Sequence, residues 1–354
     1  MIGNRLKRAR EAMGLSLREL EAAIDGLVSA QAIGKYERDE MMPGSTVLLA
    51  MAKALKVRPD FLLATREVEL AGIDFRKAPH TAAKEERAVE AVVLDRVERY
   101  LELEELLPSA EAAWEAPNAP EFRIKRIEDA EQAADKLREL WKLGIDPIPV
   151  MAELLEEKGI KVIAIDLTED VSGSKAFVRR PHFSDVPVIV VNGRHNGVRQ
   201  RFTLAHELAH LVLDCVGLSD KEEEKAADRF AGAFLMAKEM MVRLLGGNRT
   251  FISLGELAEL QKLFKVSIAC LVVRCSQLEV LSKAAYGKLW GHIRALGMNS
   301  HGAREPNDIR PERPQRMERL CLRAVAEEAL SEAKAAELMH MSVRDLDRLM
   351  TQGA

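Results

Sequence analysis

Two histidines and a glutamate stand together at His206, Glu207 and His210 in the run RFTLAHELAHLVLD. On a helix, residues four apart lie on one face, so both imidazoles can reach a single ion. Glu207, one position past the first histidine, points to the side, where its carboxylate can act as general base toward a water. The following segment carries Glu224 and Asp228, again four apart. Glu224 completes a His2Glu donor set suited to Zn2+, with a fourth position left open, although manganese or iron accepts similar ligands. Asp228 is placed to accept a hydrogen bond from a ligand histidine and fix its tautomer. The bland alternative is a pair of buried histidines satisfied by backbone carbonyls. A third ligand at matched spacing weighs against it, as does the rarity of the pattern in a chain with eight histidines. Glu222 and Glu223 read as a solvated charge run. His182, His195 and Arg199 are near in sequence for stabilising an oxyanion, and each reads more simply as an ordinary surface or loop residue.

A platform for such a site needs a rigid helix. Phe202, Leu204, Leu208, Leu211 and Val212 make 197–213 an apolar-periodic segment. A second helix is expected at 219–243. Upstream, KVIAID (161–166) and VPVIVV (186–191, closed by Asn192-Gly193) read as short strands. VPVIVVNG is a candidate sheet edge for pairing with an extended substrate. Helices are expected at 128–142 and 148–158, and again from 253 onward, interrupted by a Pro- and Arg-rich break at 303–314.

The first 65 residues have a different character. Leu6, Ala9, Met13, Leu17, Leu20 and Ala23 recur at helical spacing, with breaks at Gly14 and Gly26. Ser16 and Ser29 each stand where a side-chain oxygen caps a helix start. About five helices are expected. A helix, a tight turn at Asp25-Gly26 and a second helix opening at Ser29 form a helix-turn-helix, whose second helix enters the DNA major groove. Leu17, Leu20, Ala23, Ile24, Val28, Ile33 and Tyr36 take core-facing positions.

The chain has 354 residues, 47% apolar and 31% charged, a balance that excludes a wholly disordered or collagen-like chain and suggests two or three domains. Net charge is −4, so a nucleic-acid surface must be local. Cys215, Cys270, Cys275 and Cys321 form no CxxC pair, which argues against a disulfide framework or thiolate zinc site. A chain with no signal-like start and no membrane span is expected to be cytoplasmic. Between Glu85 and Glu131 lie fourteen acidic and six basic residues. There 84–107 is periodic enough for a helix, and 108–122, broken by Pro108, Pro117 and Pro120, reads as a solvated connector.

LSLRELEAAIDGLVSAQAIGKYERDE resembles the XRE-type (lambda repressor and Cro-like) domain over residues 2–64. The family's IxxYExG ending is matched by IGKYERDE, with Asp39 replacing the glycine. The resemblance implies that Ser29 opens the recognition helix, that Ala30, Gln31 and Lys35 face base edges, and that Arg38 follows it. Gln31 suits an adenine edge and Lys35 a guanine. Arg5, Lys7, Arg8 and Arg10, with Arg38, are candidates for phosphate contacts. Residues 1–64 carry ten basic against eight acidic side chains, so operator binding as a homodimer is expected.

Residues 125–300 resemble the ImmA/IrrE-type metallopeptidases. RFTLAHELAHLVLD is followed by EEEKAADRFAGAFLM, where the family shows E-x-x-A-[ND]-x-F-A-x-x-[LF]-[LM]-M-P, with Ala237 in place of the proline. LAELQKLFKVSIACLVVRCSQLEVLS is similar to the family's helical end. The resemblance implies a gluzincin-like zinc endopeptidase that acts on a protein, often a repressor.

The expected architecture is mainly α with a small β-sheet (α+β). It comprises a five-helix DNA-binding domain (1–65), an acidic helical connector (66–124), a zincin-like domain (125–300) and a helical packing or partner segment (301–354). His340, in this last segment, reads as core or rim. The leading function is a transcriptional regulator whose zinc domain cleaves a repressor or antitoxin-like partner, or its own 108–122 stretch. The main alternative is a repressor whose zinc domain is a sensor or assembly scaffold without turnover.

Overall fold

The computed structural model describes residues 2–57, 59–63, 68–72, 83–107, 112–180, 183–299 and 303–352. Among these residues it is mainly helical, with a small four-stranded mixed sheet and a separate two-stranded pair, as the α+β reading expects.

The amino-terminal unit contains α1 (Ile2–Ala12), α2 (Leu17–Ala23), α3 (Ala30–Glu37), α4 (Ser45–Ala54) and α5 (Pro59–Leu63). Gly14 and Gly26 take φ of 64° and 67°, left-handed turns open to glycine at little cost. Ser16 closes a capping box with Glu19, and Ser29 Oγ accepts from the Ala32 amide at 3.2 Å. Leu6, Leu20, Ile33 and Met51 form the core. Ala23, expected to face it, is exposed, because α2 ends there and the chain turns away. Asp39 sits in the left-handed region (φ 56°), and its Oδ1 accepts from the Gly3 amide at 2.8 Å. The side chain that replaces the family's glycine thus satisfies an orphan donor in the first turn of α1.

Strand β1 (Glu69–Ala71) precedes α6 (Ala83–Leu106). This acidic helix is buried at Val93, Val97, Tyr100 and Leu103. It packs on α1, on the sheet and on the carboxy-terminal helices. Its buried acids are paired: Glu98 with Arg5 at 3.1 Å, and Glu104 with Lys161 at 2.7 Å and Arg316 at 2.6 Å. These carboxylates therefore tie three parts of the chain together.

The central region runs through β2 (Arg123–Ile124), α7 (Asp129–Leu140), α8 (Met151–Glu157), β3 (Lys161–Ile165), β4 (Gly173–Arg179) and β5 (Val186–Asn192). The sheet order is β1-β4-β5-β3, with β3 and β5 parallel and the other pairs antiparallel. β5 is therefore central and hydrogen-bonded on both sides, which corrects its reading as an edge. β4 is the strand missed in sequence. Its alternation, with Ser174, Ala176 and Val178 buried, is hidden by small and charged residues. Among the described residues β1 covers only Phe177–Arg179 of β4, leaving Gly173–Ala176 paired on one side alone.

Next come α9 (Gly197–Val212), β6 (Asp214–Cys215, parallel to β2), α10 (Asp220–Leu235) and α11 (Lys238–Leu245). The single helix expected at 219–243 is broken at Met236–Ala237, although no glycine or proline marks the place. The break is stabilised from outside: Arg138 donates to Phe234 O at 2.6 Å and Arg274 to Met236 O at 3.1 Å. Then follow α12 (Leu254–Phe264), α13 (Ile268–Gln277) and α14 (Lys283–Ala295).

After residue 303 an irregular strap crosses this region before α15 (Arg316–Ala326), α16 (Glu332–Leu338) and α17 (Val343–Gln352). Glu312, buried in the strap, accepts from Arg201 on α9 at 2.6 Å and from the Ala152 amide on α8 at 3.1 Å. A Cβ on Gly197 would stand 2.2 Å from Arg310 O, so only glycine lets the strap pass the start of α9. No helix among the described residues is long and apolar enough to cross a membrane.

Candidate metal centre and nucleic-acid interface

α9 begins at Asn196, whose Oδ1 accepts from the Arg199 amide at 3.0 Å. Leu204, Ala205, Leu208 and Ala209 bury one face of α9 completely, leaving His206, Glu207 and His210 half-buried on the face toward a cleft. α10 opens with a capping box between Ser219 and Glu222, and Ala226, Ala227 and Ala231 let it lie close against α9. That contact carries Glu224 and Asp228 to the histidines. Glu131 on α7 accepts from Arg229 on α10 and Arg274 on α13, both at 2.8 Å, and pins the helices behind the cleft.

The distances are those of a donor set. His206 Nε2 and His210 Nε2 lie 3.1 Å apart, and Glu224 Oε2 is 3.3 Å from His206 Nε2, while Glu224 Oε1 is 3.7 Å from His210 Nε2. A tetrahedral ion with bonds of about 2.0–2.1 Å requires ligand atoms about 3.3 Å apart. The three residues offer atoms all within 4.8 Å of one another. His206 Nδ1 is taken by Asp228 Oδ1 at 2.9 Å, which leaves Nε2 as the nitrogen facing His210 and Glu224 and available to serve a metal. Burial opposes a charge on His206, but Asp228 and Glu224 outweigh it and hold the imidazole pKa up at about 10. An ion binding there displaces a proton.

The cleft has a volume of about 820 Å³, and Glu207 lines it with the three candidate ligands. Gly173 on β4 lies so near α9 that a Cβ would stand 2.7 Å from Thr203 Cγ2, which brings the strand's open stretch against the helix that carries His206 and His210. Lys175 on β4 donates to His210 O at 2.7 Å. Glu223, read from sequence as solvated, lines the cleft, whereas Glu222 is the capping residue. Of the three groups considered for an oxyanion, Arg199 lines the cleft and donates to Ser172 Oγ at 2.9 Å. His195 is buried against Glu169 O and Asn192. His182 lies outside the described residues.

On the other candidate surface, Gln31 and Lys35 are exposed on α3, Ala30 is half-buried beside them, and Ser29 caps the helix. Arg38 is exposed and held by Glu40 at 2.6 Å. Most of the α1 cations are not available to phosphates. Arg5 is buried on Glu98, Arg8 donates to Val68 O beside β1, and Arg10 holds Glu37 at 2.6 Å and donates to Leu15 O at 2.7 Å. Of the four, Lys7 is the exposed one.

Residues 6–62 match the helix-turn-helix family model, and residues 155–276 match that of the IrrE N-terminal-like domain, peptidase M78. The chain joins an XRE-type helix-turn-helix to an ImmA/IrrE-type domain. The second match runs from the end of α8 through β3, β4, β5, α9 and α10 to α13, so the whole metal cluster falls inside it. α6, the strap and α15–α17 fall outside both matches. No curated protein matches the chain. It is a regulator-type chain with a DNA-binding domain and a metallopeptidase-like domain.

Proposed function

We propose that this chain binds operator DNA as a homodimer through α3 and, through the IrrE-like domain, hydrolyses a peptide bond in a repressor or antitoxin-like partner. The observation that carries this is the convergence of His206, His210 and Glu224 on one point, with Glu207 on the same cleft. The units are taken as 1–65, 66–124, 125–300 and 301–354. His206, His210 and Glu224 would hold Zn2+, which supplies Lewis acidity when bound. Asp228 keeps the proton on His206 Nδ1. Glu207 takes the proton of the attacking water and passes it to the leaving amine nitrogen, the ordinary cycle of a carboxylate general base and acid. Gly173–Ala176 offers main-chain groups along which an extended substrate lies. Ala112–Trp114 packs against Gly159, where a Cβ would meet Trp114 N at 2.5 Å. That packing favours a partner as substrate over the described part of the chain's own connector, 112–122; residues 108–111 lie outside the described residues.

The test is zinc content together with cleavage of a peptide library by the full chain. About one zinc per chain is expected, lost in His210→Ala and Glu224→Ala. Glu207→Gln should keep the metal and lose cleavage. A zinc-loaded chain that cleaves nothing, with regulation unchanged in Glu207→Gln, supports the scaffold reading instead.

A further inference from the structure

We propose that the metal cleft selects an extended, lysine- and arginine-rich segment of its protein substrate; this rests on the peptidase reading above. Seven acidic side chains line the cleft against Lys175 and Arg199, an excess of five acidic groups, counted with the histidines neutral as metal ligation requires. A bound divalent ion removes two, so the loaded cleft stays negative. The ligand set and general base account for Glu207, Glu224 and Asp228. Glu305 is engaged by the Ile268 amide and Gln261. Asp170, ahead of β4, and Asp220 and Glu223, in the first turn of α10, remain on the walls. One ion needs none of them, and crowding carboxylates costs repulsion that a cationic ligand relieves.

The two cations are already counted in that excess, and Arg199 feels Glu169 and Asp170, which leaves Asp220 and Glu223 the less compensated wall. Lys175 is committed to His210 O, and Arg199 to Ser172 Oγ and Glu169 O. The open stretch of β4 recognises main chain and is indifferent to side-chain identity. Selection therefore falls to the acidic walls, where exposed Asp170 and Asp220 and half-buried Glu223 present charge of one sign to an incoming segment. A basic segment gains, and an acidic segment or a nucleic acid is repelled.

The experiment uses the zinc-loaded full chain and two fluorescein-labelled peptides of equal length, one carrying Lys/Arg and the other Glu at the same positions. Binding is read by anisotropy and cleavage by mass spectrometry. The basic peptide should bind about tenfold more tightly at low salt, with the advantage shrinking as salt is raised. Asp170→Asn/Asp220→Asn/Glu223→Gln should bring the two peptides to within about twofold, and Asp170→Asn alone should move partway. Equal binding, or a preference that the triple variant leaves intact, overturns the inference. Basic preference without cleavage retains it and removes the peptidase reading; cleavage without preference does the reverse.

Discussion

Asp228 Oδ1 lies 2.9 Å from His206 Nδ1, although the two residues belong to different helices. In the proposed zinc site this carboxylate would decide which imidazole nitrogen meets the metal, so Asp228→Asn should leave the candidate ligands intact and still weaken zinc. A loss of about 10- to 100-fold in affinity is expected. Competition against a chromophoric chelator measures it; wild-type affinity in the variant would show that Asp228 does not set the tautomer.

Arg5 and Glu98 form a two-pronged pair at 3.1 Å, both nearly fully buried, between the DNA-binding unit and α6. Removing one partner leaves a buried charge, so Glu98→Gln should destabilise the full chain by about 3 kcal/mol or more. Arg5→Met with Glu98→Leu should recover most of that. Thermal unfolding of the three variants decides, and a double variant no better than the single would mean the pair is not the source.

Burial pushes the Glu156 carboxyl up to about 7, against the favourable Arg316 amide that its Oε2 accepts at 3.2 Å. A carboxyl with a raised folded pKa holds its proton better folded than unfolded. Its contribution is therefore complete below the usual carboxylate range and falls as pH rises toward 7. Glu156→Gln should gain stability relative to wild type between pH 4 and 8, on the order of 3 kcal/mol. Parallel denaturation curves for the two proteins across that range would refute it.

Gln31 and Lys35 project from α3, while Arg5, Arg8 and Arg10 bond inward. Gln31→Ala should cost about 1–3 kcal/mol on the operator and relax specificity at one base pair. Lys7→Ala should weaken binding to all sequences and reduce the salt slope by about one. Binding titrations at several salt concentrations separate the two effects. A Gln31→Ala variant with unchanged sequence preference would place base reading elsewhere.

Local signals carried much of this protein in the sequence. HELAH, EKAAD, the serine caps and the paired glycine turns work over a few residues, so α2, α3, α9, α10, the candidate ligands and the exposed reading face are legible without coordinates. Tertiary structure decided whatever depends on partners far along the chain. Only packing shows that Arg5 and Arg8 face α6 and β1, because charge alone does not distinguish a phosphate ligand from a buried pair. The break at Met236 has no local cause, since its carbonyl is taken by Arg274 from another helix. Strand β5 looks like any apolar strand; its central place follows from β4, whose small and charged residues conceal it. Whether Glu223 faces water or the cleft is likewise a matter of how α10 rotates against α9, and that rotation is set by the alanines packed between them.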